Sequence, residues 1–204
     1  AYHGLPVTVV AVGGGLAYGA LGYSHHAVQD YALMRGMPGV LIAAPGDPME
    51  VRACLRHLVA NPQPSYLRLG KAGEPSFHAA VPAVAPGQWL TVAGADAREV
   101  LLCTGATLEL AMRWREAGPH AGWGVRSLPL WGMGSKAVQA AQVQACERVV
   151  TLEDHLADGG FGSWLLESLP AADGLRGRVE ARALDPVVCG SVASQAVLNR
   201  LGGL

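Results

Sequence analysis

Apolar and polar positions along this chain follow two periods, and the switches between them mark its elements. Val7 to Val12 is a short β-branched run that predicts a buried strand. From Ala27 to Arg35 the apolar residues fall at Val28, Tyr31, Ala32 and Met34, a helical spacing, and Gly36 stands where helices commonly stop. Val40 to Ala44 predicts the next strand. Asp47 then offers a cap, with Pro48 at the first helical position and Glu50 three residues after the cap. That helix runs to about Ala60, and Tyr66 to Leu69 predicts a third strand.

Between Lys71 and Gln88 the periodicity lapses. Gly73, Pro75, Pro82, Pro86 and Gly87 interrupt the stretch, which reads as a linker. A second alternating unit follows. Strands are predicted over 99–103, 124–128, 148–153 and 178–184, and helices over 107–117, 135–146, 160–169 and 191–201. Short strands alternating with helices predict an α/β fold with parallel sheets. No internal repeat or low-complexity tract is evident.

Composition narrows the functional classes. Half of the 204 residues are apolar and 15% are charged, enough for a sizeable core and too apolar for disorder. A net charge of −1 gives no basic field for nucleic acid. No apolar run approaches the roughly 20 residues needed to span a bilayer, so no membrane role is expected. Cys54, Cys103, Cys146 and Cys189 are widely spaced, with no C-x-x-C pair. That spacing argues against a zinc knuckle or a disulfide framework and fits a reducing, cytoplasmic setting.

The candidate chemistry starts in the loop after the first strand. Glycines at 13, 14, 15, 19 and 22 precede two adjacent histidines, His25 and His26. Such a loop can lie close over a ligand and deliver an imidazole, the side chain best suited to exchange protons near neutral pH. Asp47 and Glu50 are paired acids, but their spacing is that of a helix cap. Glu153-Asp-His155 ends a strand just before Gly159-Gly-Phe-Gly162, a loop whose N–H groups could bind an anion or simply make a tight turn. Lys71 closes the third strand, where a lysine is commonly just solvated.

The order of these segments resembles the thiamine-diphosphate enzymes of the transketolase family. The matching segments are Gly22-Tyr-Ser-His25-His26, Gln29-Asp30, Arg35, Pro45-Gly-Asp47-Pro-Met-Glu50, Pro64-Ser65 to Lys71, and Val149 to Ser163. The resemblance covers nearly the whole chain. It implies the latter half of a pyrimidine-binding domain over 1–72, a linker over 73–94, and a second α/β domain of the transketolase C-terminal type over 95–204. The first of these is expected to be an incomplete parallel sheet, because the chain opens almost directly on a strand.

The resemblance further implies transfer of a two-carbon ketol unit between sugar or sugar-phosphate substrates. His25 would act catalytically in proton transfer, Lys71 would grip substrate phosphate, and His26 would support substrate binding. A lysine holds phosphate as a point charge, without the fork of the family's usual arginine. Two positions depart from the family. Leu21 stands where an aspartate typically binds a substrate hydroxyl, and Gly13 where a histidine is usual, which favours a less hydroxylated substrate.

No metal ligands are assigned within the chain. The family's activating glutamate and its Gly-Asp-Gly…Asn element for Mg²⁺ and diphosphate have no counterpart here. Thiamine diphosphate and Mg²⁺ are therefore expected to be held mainly by residues outside this chain, supplied by an N-terminal transketolase subunit or a further segment, with homo-oligomerisation. Alone, the chain is expected to be inactive. Alternatives in the same chemistry are a 2-oxo-acid dehydrogenase β-subunit or a deoxyxylulose-phosphate synthase fragment. A different class is a non-catalytic assembly module.

Overall fold

A computed structural model describes all residues, Ala1–Leu204. The chain is mixed α/β with two mostly parallel sheets. The first sheet is built by β1 (Thr8–Val12), β2 (Leu41–Ala43), β3 (Ser65–Leu69) and a later strand, β7 (Leu130–Trp131), in the order β1-β3-β2-β7. The helices α1 (Asp30–Arg35) and α2 (Pro48–Ala60) make the crossovers. The second sheet contains β4 (Leu90–Ala93), β5 (Glu99–Cys103), β6 (Gly124–Ser127), β8 (Arg148–Leu156) and β9 (Val179–Leu184), in the order β4-β6-β5-β8-β9. Its helices are α3 (Thr107–Glu116), α4 (Gln139–Gln144), α5 (Phe161–Glu167) and α6 (Gln195–Leu201). No helix is long and apolar enough to cross a membrane.

Two strands escape the periodicity, and both pair antiparallel. β4 lies inside the range read as linker and pairs with β6, its alternation masked by neighbouring Gly and Ala. β7 follows β6 after Pro129 and crosses into the first sheet, with Ile42 opposite Trp131 and Ala43 opposite Leu130. Two residues are too few to show an alternation. β7 nevertheless joins the halves, because a single core of 15 buried residues draws on both sheets. Tyr31 and Ile42 meet Val100, Leu102, Trp131, Phe161 and Trp164 there. Burying each of these large side chains contributes roughly 1.5–3 kcal/mol. Their polar atoms are satisfied, Trp131 Nε1 donating to Thr104 Oγ1 at 3.0 Å and Trp164 Nε1 to the Gly132 carbonyl at 3.0 Å.

β1 corrects one expectation. The strand forms and pairs parallel with β3, but it sits at the sheet edge and Val7, Val9, Val10 and Val12 are exposed rather than buried. The apolar run reports a strand suited to cover on both faces. It does not say whether this chain supplies the cover.

Candidate functional site

The glycine run after β1 is shaped by what packs against it. Gly13 and Gly14 donate to the Leu69 carbonyl at 2.9 and 3.0 Å, and Gly15 and Ala27 exchange a pair of backbone hydrogen bonds. That pair pinches residues 16–26 into a closed loop. Gly15 lies at φ +64°, and a Cβ there would overlap the Asp154 carboxylate. A Cβ on Gly14 would overlap the Arg68 guanidinium. Two of the glycines read as a ligand-covering loop therefore serve close approach to a buried ion pair. The loop is anchored from beneath by Leu16, buried with Val28, Leu184, Val188 and Leu198.

This loop presents the histidines unequally. His25 ends a short 3-10 turn, Tyr23–His25, and is exposed. Its Nδ1 lies 3.0 Å from Ser24 Oγ, which leaves Nε2 toward solvent. His26 is buried, its Nε2 3.4 Å from the Gly19 carbonyl and its ring edge-on to Tyr23. Lys71 is exposed just beyond β3 and lines a cleft that neither histidine lines. Gly13, at φ +93°, has the Tyr18 ring where a side chain would project. Tyr18 thus fills the place that a histidine would need.

Beneath the loop is a group that the apolar periodicity does not reveal. Arg68, inside the otherwise apolar β3, is buried and forks between Asp30 Oδ2 at 2.7 Å and Asp154 Oδ1 at 2.6 Å. It also donates to the Ala27 carbonyl at 2.8 Å and to Tyr31 Oη at 3.1 Å, with its guanidinium 4.2 Å from the Tyr31 ring centroid. One side chain therefore ties together the loop's closing residue, α1, β3 and β8. The signal in the sequence is an arginine in the middle of a buried strand, which requires buried acceptors. Burial pushes the Asp154 carboxyl up, and Arg68 opposes it.

The remaining sequence candidates are structural. Arg35 donates to the Gly159 carbonyl and to both Glu167 oxygens, joining α1 to α5. Asp47 caps α2, its Oδ1 accepting from Glu50 N at 2.7 Å. Glu50 departs from a closed capping box, because its Oε2 accepts from Gly46 N and Ser127 Oγ instead. Asp47 Oδ2 accepts from the Phe77 and His78 N–H groups and lies 3.0 Å from His78 Nδ1, clasping the linker. The glycine loop at 159–162 holds no free anion site. Glu153 fills it, accepting from Phe161 N and Gly162 N.

Two of these buried acids set a pH dependence. Burial pushes Glu153 up to about 8 and Glu50 up to about 7, against the pull of the N–H groups they accept from. A carboxyl raised on folding binds its proton more tightly in the folded state. Its contribution is therefore complete below about 4.5 and is lost as pH rises through 7 to 8. Glu153→Gln should flatten this loss. The check is the difference in melting temperature between wild type and variant from pH 5 to 8.5, which should shift in favour of the variant as pH rises. A difference independent of pH would show that Glu153 titrates normally.

Known proteins share both the sequence and the architecture. Residues 1–73 match the family model of the transketolase pyrimidine-binding domain. The chain is 32% identical over 184 residues to a subunit of apulose-4-phosphate transketolase from Phocaeicola vulgatus, covering 83% of this chain and 55% of that protein. It is 32% identical over 173 residues to 1-deoxy-D-xylulose-5-phosphate synthase of Thermus thermophilus, covering 83% of this chain and 27% of that protein. The chain thus spans about half, or less, of the length of these relatives. Among solved structures, a split-gene transketolase described as an inactive β4 tetramer superposes with a TM-score of 0.75 at 24% identity, covering 98% of this chain and 63% of that one. Transketolase from Leishmania mexicana gives 0.72 at 22% identity, with 97% and 28% covered. The structural likenesses establish the α/β fold, and the family match and relatives support a transketolase-like family.

Proposed function

We propose that this chain is the C-terminal portion or subunit of a transketolase-like enzyme that transfers a two-carbon ketol unit between sugar or sugar-phosphate substrates. Residues 1–72 are assigned to the pyrimidine-binding domain and 95–204 to the C-terminal domain, with 73–94 linking them. The observation that carries the reading is the loop pinched by Gly15 and Ala27, which leaves His25 exposed above the Arg68 ion pairs. His25 is assigned proton transfer, Lys71 substrate phosphate, and His26, buried behind His25, the support of substrate binding.

The residues of this chain do not fit thiamine diphosphate and Mg²⁺ by themselves. No three His, Cys, Asp or Glu side chains are grouped to hold a metal ion, and the glycine-bounded start of α5 at 160–162 is filled by Glu153. Cofactor and metal are assigned mainly to an N-terminal transketolase subunit or a further segment, in a homo-oligomeric assembly. Tyr18 in the place of a polar side chain, with Leu21 exposed nearby, favours a less hydroxylated substrate. That observation keeps deoxyxylulose-phosphate synthase chemistry as the second reading.

The test reconstitutes the chain with a transketolase N-terminal subunit and assays ketol transfer. His25→Ala should cost roughly 10²–10⁴ in rate, the usual contribution of a positioned acid–base group. Full activity in His25→Ala removes His25 from the mechanism. An intact assembly with no transfer activity favours a non-catalytic assembly module.

A further inference from the structure

A cleft of about 300 Å³ opens between the loop after β3, α3 and α6. Two of its lining side chains, Asp154 and Asn199, hold buried polar atoms that nothing in the chain satisfies. We propose that it binds a small zwitterion, with an ammonium group among Asp154, Glu74, Glu109 and Asn199 and an anionic group between Lys71 and Arg113.

The deep end calls for donors. The Asp154 side chain is 3% exposed, and while Arg68 takes Oδ1, Oδ2 is buried without a partner. Asn199 Oδ1, from α6, is likewise buried and unpartnered. Leaving such acceptors unmade costs on the order of 1–3 kcal/mol each. Glu74 and Glu109 add acceptor oxygens from two further elements. Burial, with the nearby charges of Asp154 and Glu109 adding to it, pushes Glu74 up to about 7. An ammonium brings three donors and the missing positive charge.

The mouth calls for the opposite sign. Lys71 and Arg113 are exposed and line the same cleft. A bare phosphate would meet three carboxylates behind them, and a bare amine would have to pass two cations. A molecule carrying both charges satisfies both ends. The carboxylates are not grouped to hold a metal ion, which leaves an organic cation as the complement. The proposal shares only Lys71 with the ketol-transfer reading and does not depend on it.

The experiment is calorimetric titration of the full chain at pH 8, in whatever assembly it adopts. The probes are glucosamine 6-phosphate, glucose 6-phosphate, O-phosphoethanolamine and L-alanine. Amine-bearing glucosamine 6-phosphate should bind at least about tenfold more tightly than glucose 6-phosphate, the worth of one charge-assisted hydrogen bond. Binding of O-phosphoethanolamine without L-alanine makes phosphate the anionic group, and the reverse makes it a carboxylate. Glu109→Gln should remove the preference for the amine, and Arg113→Ala should weaken every anionic probe. Both positions are partly or fully exposed, so circular dichroism should show an unchanged fold. Equal affinity for the two sugar phosphates, or no binding of any probe at millimolar concentration, overturns the proposal.

Discussion

Arg68→Met should cost about 3–5 kcal/mol of stability, the penalty for stranding buried charges, and should be the most damaging single substitution in the chain. Arg68 pairs with both Asp154, whose side chain is 3% exposed, and Asp30, and it also donates to the Ala27 carbonyl that closes the loop. The methionine fills much of the volume but leaves Asp154 charged and unpaired in the interior. By contrast, Arg98–Glu147 lies on the surface, its side chains 65% and 61% exposed. Removing such a pair should cost no more than about 1 kcal/mol. Lysine cannot rescue position 68, because one ammonium lacks the fork that reaches two carboxylates. The double change Arg68→Met with Asp154→Asn should recover part of the loss, since it removes the stranded charge along with its partner. Urea denaturation of the wild type, Arg68→Met, Arg68→Lys and the double variant is the measurement. A loss below about 1 kcal/mol for Arg68→Met would mean that the ion pairs of Arg68 are solvated and do not hold the loop to β3 and β8.

The same residue shows where sequence reading succeeds and where it stops. The α2 start is legible because Asp47-Pro48-x-Glu50 states a local rule, and Asp47 does cap Glu50 N. Strands β2 and β5 are legible because they are buried and their apolar runs, Leu41–Ala43 and Val100–Cys103, are continuous; β3 and the start of β8 remain legible although Arg68 and Thr151 interrupt them. β7 is not, because its two residues are strand only by virtue of Ile42 and Ala43 beside them. At the candidate site, the local sequence places His25 and His26 at the end of a glycine loop but does not say which of them is exposed. The Arg68 hub does not, since Asp30 and Asp154 are separated from it by 38 and 86 positions. The His78 clasp on Asp47 is hidden for a related reason: a lone histidine in a Gly- and Pro-rich linker carries no period. Long-range polar pairing leaves no periodic signal. Its only trace is a charged residue in a run that is otherwise apolar.

The isolated 204-residue chain should self-associate and should show no measurable binding of thiamine diphosphate, even with Mg²⁺ present. The association follows from β1. Its residues alternate between two faces, and Val7 and Val9 on one and Val10 and Val12 on the other are all about half exposed or more. Beside it, Pro6, Thr8, Val10, Leu55 and Val59 line an apolar groove. The outer edge of β1 has no partner strand, so its N–H and C=O groups are open to pairing. An uncovered parallel edge with two apolar faces is a surface that drives association. Replacing Val10 and Val12 together by lysine puts charge on one face of this edge without touching the core. The doubly substituted chain should shift toward monomer in light scattering while its circular dichroism is unchanged. The cofactor half of the expectation follows from the donor set, which offers no grouping for a metal ion, and from Glu153 occupying the glycine-bounded start of α5. Calorimetry should therefore register no heat with the wild-type chain or the lysine variant. Micromolar binding by either would place a complete cofactor site within these 204 residues and overturn the assignment of that site to a partner. A wild-type chain that is monomeric at high concentration would show that β1 is tolerated as a bare edge.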